Sequence, residues 1–169
     1  MNILKLIIKY LQTTYTTPEQ RRMVIREITQ ALTSKTLLKV AVTSVGTDVS
    51  PLDKAPDMLG CAESVSMVIR EIDPTFPIHV STTKLFKELE KNPKYERTTD
   101  LTAGNIIISP TGYGSGGLSN GHVGIIGKNG VIYSNDSYKG TWEQNYTIKS
   151  WVARYRVRGG FPIFVFKVL

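Results

Sequence analysis

Asn120-Gly-His122-Val-Gly-Ile-Ile-Gly127-Lys-Asn-Gly130-Val-Ile-Tyr-Ser-Asn135 consists of two short runs of β-branched and aromatic residues joined through an Asn-Gly pair. Asn-Gly adopts the positive φ angles of a tight turn whose twist matches that of antiparallel strands, so the stretch predicts a β-hairpin. Side chains alternate across a strand, which puts Val131, Tyr133 and Asn135 on one face. On that count Asn135 is the residue placed to reach a nitrogen of His122. Ser134 or Asp136 takes its place if the register differs by one residue. His122 opens an apolar strand, where packing serves an imidazole poorly. An imidazole directed off the sheet towards a helix end would instead be available for proton transfer.

Working outward, further runs bounded by Gly, Pro and Asn predict strands at Asn105 to Ser109 and Ile163 to Val168. The first hundred residues carry helical periodicity instead. Leu4, Ile7, Ile8 and Leu11 lie opposite Lys5, Lys9 and Gln12, an amphipathic helix packed on the domain, too short and too charged to span a membrane and without a signal-peptide cleavage pattern. Pro18 starts a second helix, followed by Met23, Ile25, Ile28 and Leu32 up to Ser34. Val45 to Gly60 is rich in Gly, Pro and Asp and reads as loop. A third helix opens at Cys61 with Val65, Val68, Ile69 and Ile72 on one face and stops at Asp73-Pro74. A fourth follows Ser81-Thr82-Thr83 through Leu85, Phe86 and Leu89 to Asn92-Pro93. Helices first and strands second predict an α+β fold in which N-terminal helices pack on an antiparallel sheet. The 169 residues amount to one domain, 1–169, with 1–45 as a helical extension packed on it.

Cys61 is the single cysteine, which excludes an internal disulfide and a four-ligand zinc site built with His79 and His122. At a helix N-terminus its thiol meets unpaired amides and the positive end of the helix dipole, which favour thiolate and hence nucleophilicity. Glu63, two residues on, points to a different helical face and reads as a solvated or capping group. The net charge of +7 is concentrated towards the C-terminus, where residues 101–169 hold seven Lys and Arg against two Asp and Glu. Such a field attracts anionic polymers without selecting among them.

Three segments together resemble the papain-like cell-wall cysteine hydrolases, comprising NlpC-type peptidases and CHAP amidohydrolase-peptidases. They are Gly60-Cys61-Ala-Glu-Ser-Val-Ser at a helix start, Leu101-Thr-Ala-Gly104-Asn-Ile-Ile-Ile108 at the place of a Pro-Gly-Asp strand entry, and Gly121-His122-Val-Gly-Ile with its downstream turn. They occur in the family's order over about residues 59–136. Gly60 departs from the Asp or Gln often found before the cysteine, and Ala103-Gly104-Asn105 departs from Pro-Gly-Asp. The resemblance implies a papain-like fold. It also implies that Cys61 attacks a peptide carbonyl, that His122 takes its proton and later protonates the leaving amine, and that Asn135 steadies the imidazole. The Cys61 amide would contribute to the oxyanion hole.

The expected activity is peptidoglycan hydrolysis through a thioester acyl-enzyme, as an endopeptidase or an N-acetylmuramoyl-L-alanine amidase. The cell-wall peptide would be the substrate, and no cofactor, metal, nucleic acid or transmembrane segment would be involved. Action at the bacterial wall without a signal peptide suggests delivery by phage lysis, a virion or a secretion system. The rivals are a papain-like amidase or protease on a non-wall amide, and a non-catalytic phage structural or binding module.

Other features are read as structural. Gly112-Tyr-Gly-Ser-Gly-Gly117 lacks a Gly-Lys-Ser/Thr ending and leads into a strand, which fits a cleft rim with Tyr113 and Leu118 better than a phosphate loop. Arg154, Arg156 and Arg158 alternate as on a solvent-facing strand edge. His79, between Ile78 and Val80, is assigned to packing.

Overall fold

The computed structural model describes residues 10, 14–15, 17–50, 60–112 and 121–169. The predicted helix at the extreme N-terminus, most of the loop before Cys61, and the Tyr113 and Leu118 positions lie outside the described residues.

The first helix, α1 (Pro18–Thr43), begins with a capping box. Thr17 accepts from the Gln20 amide while the Gln20 side chain accepts from the Thr17 amide, and Pro18 fills the first helical position. It runs nine residues past the predicted end at Ser34. Thr29, Thr33, Thr36 and Thr43 turn their hydroxyls back onto the carbonyls four residues earlier, and Leu37 and Ala41, one turn apart, are fully buried. Tertiary burial thus overrides the weak helix propensity of this Thr- and Val-rich stretch. Helices α2 (Cys61–Arg70) and α3 (Thr82–Lys91) start and stop close to the residues the periodicity indicated.

Six strands form one sheet in which every pairing is antiparallel: β1 (Tyr95–Thr98), β2 (Ile106–Ser109), β3 (His122–Ile126), β4 (Val131–Asp136), β5 (Thr141–Thr147) and β6 (Phe164–Val168). Their order across the sheet is β1-β6-β2-β3-β4-β5. The α+β architecture with an N-terminal helical layer on an antiparallel sheet is therefore as predicted. In the hairpin between β3 and β4, Asn129 and Gly130 both take positive φ (57° and 74°), and the Gly127 amide bonds the Val131 carbonyl at 2.7 Å. The alternation of β2 and β3 sorts their side chains cleanly. Ile106, Ile108, Val123 and Ile125 join Leu37, Cys61, Val65, Ile69 and Trp142 in the core beneath the helices. Ile107 and Ile126 join Ile132, Trp151 and Tyr155 on the opposite face.

That second face is covered by α4 (Ile148–Val152), which continues as a π-helical turn, Ala153–Arg158. The alternating arginines therefore belong to a helical segment and not to a strand edge. Trp151 and Tyr155, four residues apart, turn inward while Arg154, Arg156 and Arg158 stay exposed. Among the described residues no helix is long and apolar enough to cross a membrane.

Candidate functional site

Cys61 occupies the first turn of α2, and its Sγ lies 3.9 Å from the Gly121 carbonyl oxygen. The helix places the thiol against the strand segment immediately before His122, so the two distant motifs meet in space. The amides of Ala62, Val123 and Cys61 itself favour thiolate, as the helix N-terminus predicts, but removal from water outweighs them and pushes the thiol up to about 11. The expectation of a thiolate near neutral pH is thus corrected for this arrangement: Cys61 is a buried, protonated thiol, 9% exposed.

His122 opens β3, opposite Ser109 of β2. Its ring turns to the face away from α2, since Val123 and Ile125 are the β3 side chains that enter the helical core. There it stacks on Trp151 (centroids 5.3 Å apart, planes 27°) and on Tyr155 (6.3 Å, 18°), with Tyr146 at 5.5 Å. The predicted direction, towards the helix bearing Cys61, is therefore corrected. The backbone of β3 lies between thiol and imidazole, and among the described residues the imidazole hydrogen-bonds Ser134: His122 Nε2 is 3.0 Å from Ser134 Oγ.

Asn135, the residue expected to orient His122, does not do so. Pairing of Ile125 with Tyr133 and Ile126 with Ile132 places His122 on the side of the sheet shared by Ile132 and Ser134, while Asn135 sides with Tyr133 and the helical core. Ser134, the alternative one residue away, takes the role. Its hydroxyl donates to Asn145 Oδ1 at 2.6 Å and so accepts from the Nε2–H, which puts the neutral imidazole in the Nε2-protonated tautomer. Asn145 Nδ2 in turn donates to the Asn135 carbonyl at 3.4 Å, anchoring the chain of polar groups to β4. Glu63, read as solvated, is instead fully buried.

Burial also depresses His122, to about 4, with the positive charge of Arg154 adding to the effect and Asp136 opposing it. At neutral pH both groups are uncharged. Moving a proton from a thiol pushed up by burial to an imidazole pushed down by burial is strongly unfavourable in this arrangement. Nucleophilic chemistry here requires Sγ and the imidazole to come into direct contact, where the charged pair stabilises itself.

Gly121 is the joint between the two halves of the site. A Cβ there would lie 1.8 Å from the Ser109 carbonyl oxygen, closer than any backbone tolerates, so only glycine lets β3 enter the sheet beside β2 at this point. Gly121→Ala should destabilise the fold by about 2 kcal/mol or more, read from the urea midpoint. An unchanged midpoint would mean that the chain enters β3 differently.

Trp151, Tyr155 and Asn145 were not singled out from the sequence for this site, whereas Ser134 was one of the two alternatives to Asn135. The Trp151-x-x-x-Tyr155 spacing, one helical turn, is a signal that could have revealed the packed helix but was passed over in favour of the alternating arginines. No protein-family model matches the chain, and no curated protein matches it.

Proposed function

We propose that the protein is a thiol-dependent amide hydrolase acting on bacterial cell-wall peptide. The observation that carries this reading is the joining of two motifs distant in sequence: the helix-opening Cys61 abuts the Gly121 carbonyl, and the next residue, His122, is held at Nε2 through Ser134 to Asn145. A buried imidazole needs a partner for its N–H in any role, and here that partner also fixes the tautomer. The tether leaves the other nitrogen, Nδ1, as the unprotonated position that can accept a proton.

The proposed reaction requires the β3 entry to rearrange on substrate binding, so that Sγ and Nδ1 come to the same side of the strand. The thiol proton passes to Nδ1 as Sγ attacks the carbonyl carbon, giving a tetrahedral intermediate whose oxyanion faces the Cys61 amide. The C–N bond then breaks, the imidazolium gives its proton to the departing amine, and a thioester remains. Water, deprotonated by the same imidazole, attacks the thioester carbonyl and releases the carboxylic acid and the thiol. The basic excess of residues 101–169, seven against two, favours an anionic wall mesh over a neutral substrate.

A second reading, a non-catalytic module on the same scaffold, is favoured by the thiol at about 11 and the imidazole at about 4 on opposite faces of β3. The two diverge on one experiment, release of soluble fragments from purified peptidoglycan with mass spectrometry of the products. The hydrolase releases fragments bearing one new carboxylate and one new amine, and Cys61→Ala lowers the rate by about a thousandfold or more. Equal release by wild type and Cys61→Ala, or none by wild type across several wall types, would overturn the proposal.

A further inference from the structure

We propose that Thr82 is a positioning residue for this site, through the Gly121 peptide; the inference rests on the assignment of Cys61 and His122 to one active site. Thr82 is the first residue of α3 and is 6% exposed. Its Oγ1 donates to the Pro110 carbonyl at 2.9 Å and accepts from the Gly121 amide at 3.1 Å. One hydroxyl therefore ties together the two ends of the segment that links β2 to β3.

The geometry gives this bond more than a structural meaning. The Gly121 residue that Thr82 holds by its amide presents its carbonyl oxygen to Cys61 Sγ, and the following residue is His122. The hydroxyl has one proton, directed to Pro110, and a lone pair, directed to Gly121, so both of its bonding capacities are used in opposite senses. Serine reproduces both bonds. Valine, of the same shape, reproduces neither and leaves the Gly121 amide without its partner, while the Pro110 carbonyl keeps only the bond from Thr83. Thr83 provides an internal control: its hydroxyl also reaches the Pro110 carbonyl, at 3.2 Å, whereas the Gly121 amide donates to Thr82.

The test compares wild type with Thr82→Val, Thr82→Ser and Thr83→Val in the full chain. It measures the rate of Cys61 alkylation by iodoacetamide across pH by mass spectrometry, alongside peptidoglycan hydrolysis. Thr82→Val is expected to alkylate at least fivefold faster, with a shifted pH profile, because the Gly121 peptide no longer holds the thiol. Its kcat should fall at least tenfold with KM within twofold of wild type. Thr82→Ser should return both to within twofold of wild type, and Thr83→Val should leave both within twofold. Alkylation unchanged in a folded Thr82→Val, or a Thr83→Val effect equal to it, would overturn the proposal. If Thr82→Val does not fold, hydrogen exchange of the Gly121 amide decides: slow exchange in wild type that is kept in Thr82→Ser supports the clamp, and fast exchange in wild type refutes it. Absence of hydrolysis by wild type would sink the hydrolase reading while the alkylation pattern still tests Thr82.

Discussion

Replacing His122 with Phe should flatten the acid limb of the stability curve and abolish hydrolysis. The imidazole is buried and depressed to about 4, against 6.5 for an exposed histidine. Because the folded value lies below the unfolded one, the unfolded chain binds the proton first as pH falls. The native state keeps its full advantage above about pH 6.5 and loses it progressively down to about pH 4, a span equivalent to roughly 3 kcal/mol. Phe preserves the stacking on Trp151 and Tyr155 but cannot take a proton, and Ser134 keeps its bond to Asn145. Other acid-sensitive groups, such as Asp73, held below its usual range first by the hydrogen bond from Lys94, remain in both proteins. The wild-type minus Phe difference in urea-derived stability from pH 7 to pH 4 therefore isolates the histidine. A difference that stays constant with pH would show that the imidazole is not buried in the native protein.

Trp142→Ala carries the largest expected loss of stability. The indole is fully buried in the helical core, and its Nε1 donates to the Ala41 carbonyl at 2.8 Å, 101 residues away. Its backbone also bonds Thr47 and Gly46, so one residue on the edge strand β5 fastens the end of α1 to the sheet. Removing the ring leaves a large cavity and an orphaned carbonyl, and about 4 kcal/mol should be lost, measured by equilibrium urea denaturation. Trp142→Phe keeps most of the packing and forfeits the hydrogen bond, so its loss should be less than half as large. Equal losses would mean that the bond, and not the ring, holds α1 in place.

The contrast between strands that the sequence revealed and those it concealed has a single cause. β2, β3, β4 and β6 lie inside the sheet and are flanked by packed layers, so their residues are apolar runs that stand out from their surroundings. β1 and β5 are the two edges, and both mix charged or polar residues into the strand: Glu96 and Arg97 in β1, Glu143, Gln144 and Asn145 in β5. Edge strands are kept polar because an apolar edge would pair with other chains, and the same polarity removes the pattern by which a strand is recognised. The end of α1 was hidden for a related reason, since burial of Leu37 and Ala41, beside the Ala41–Trp142 bond, extends a helix that local propensity would end.

The sequence by itself determined the order of elements, the α+β class and the tight turn at Asn129-Gly130, because each depends on local periodicity or on glycine's backbone freedom. Tertiary structure alone decided which face of β3 receives the imidazole, that Ser134 and not Asn135 holds it, and that burial reverses the thiolate preference of a helix N-terminus. A strand's alternation says which side chains share a face but not which face the helices will cover. Desolvation depends on everything packed around a group, and no local stretch of sequence contains that information.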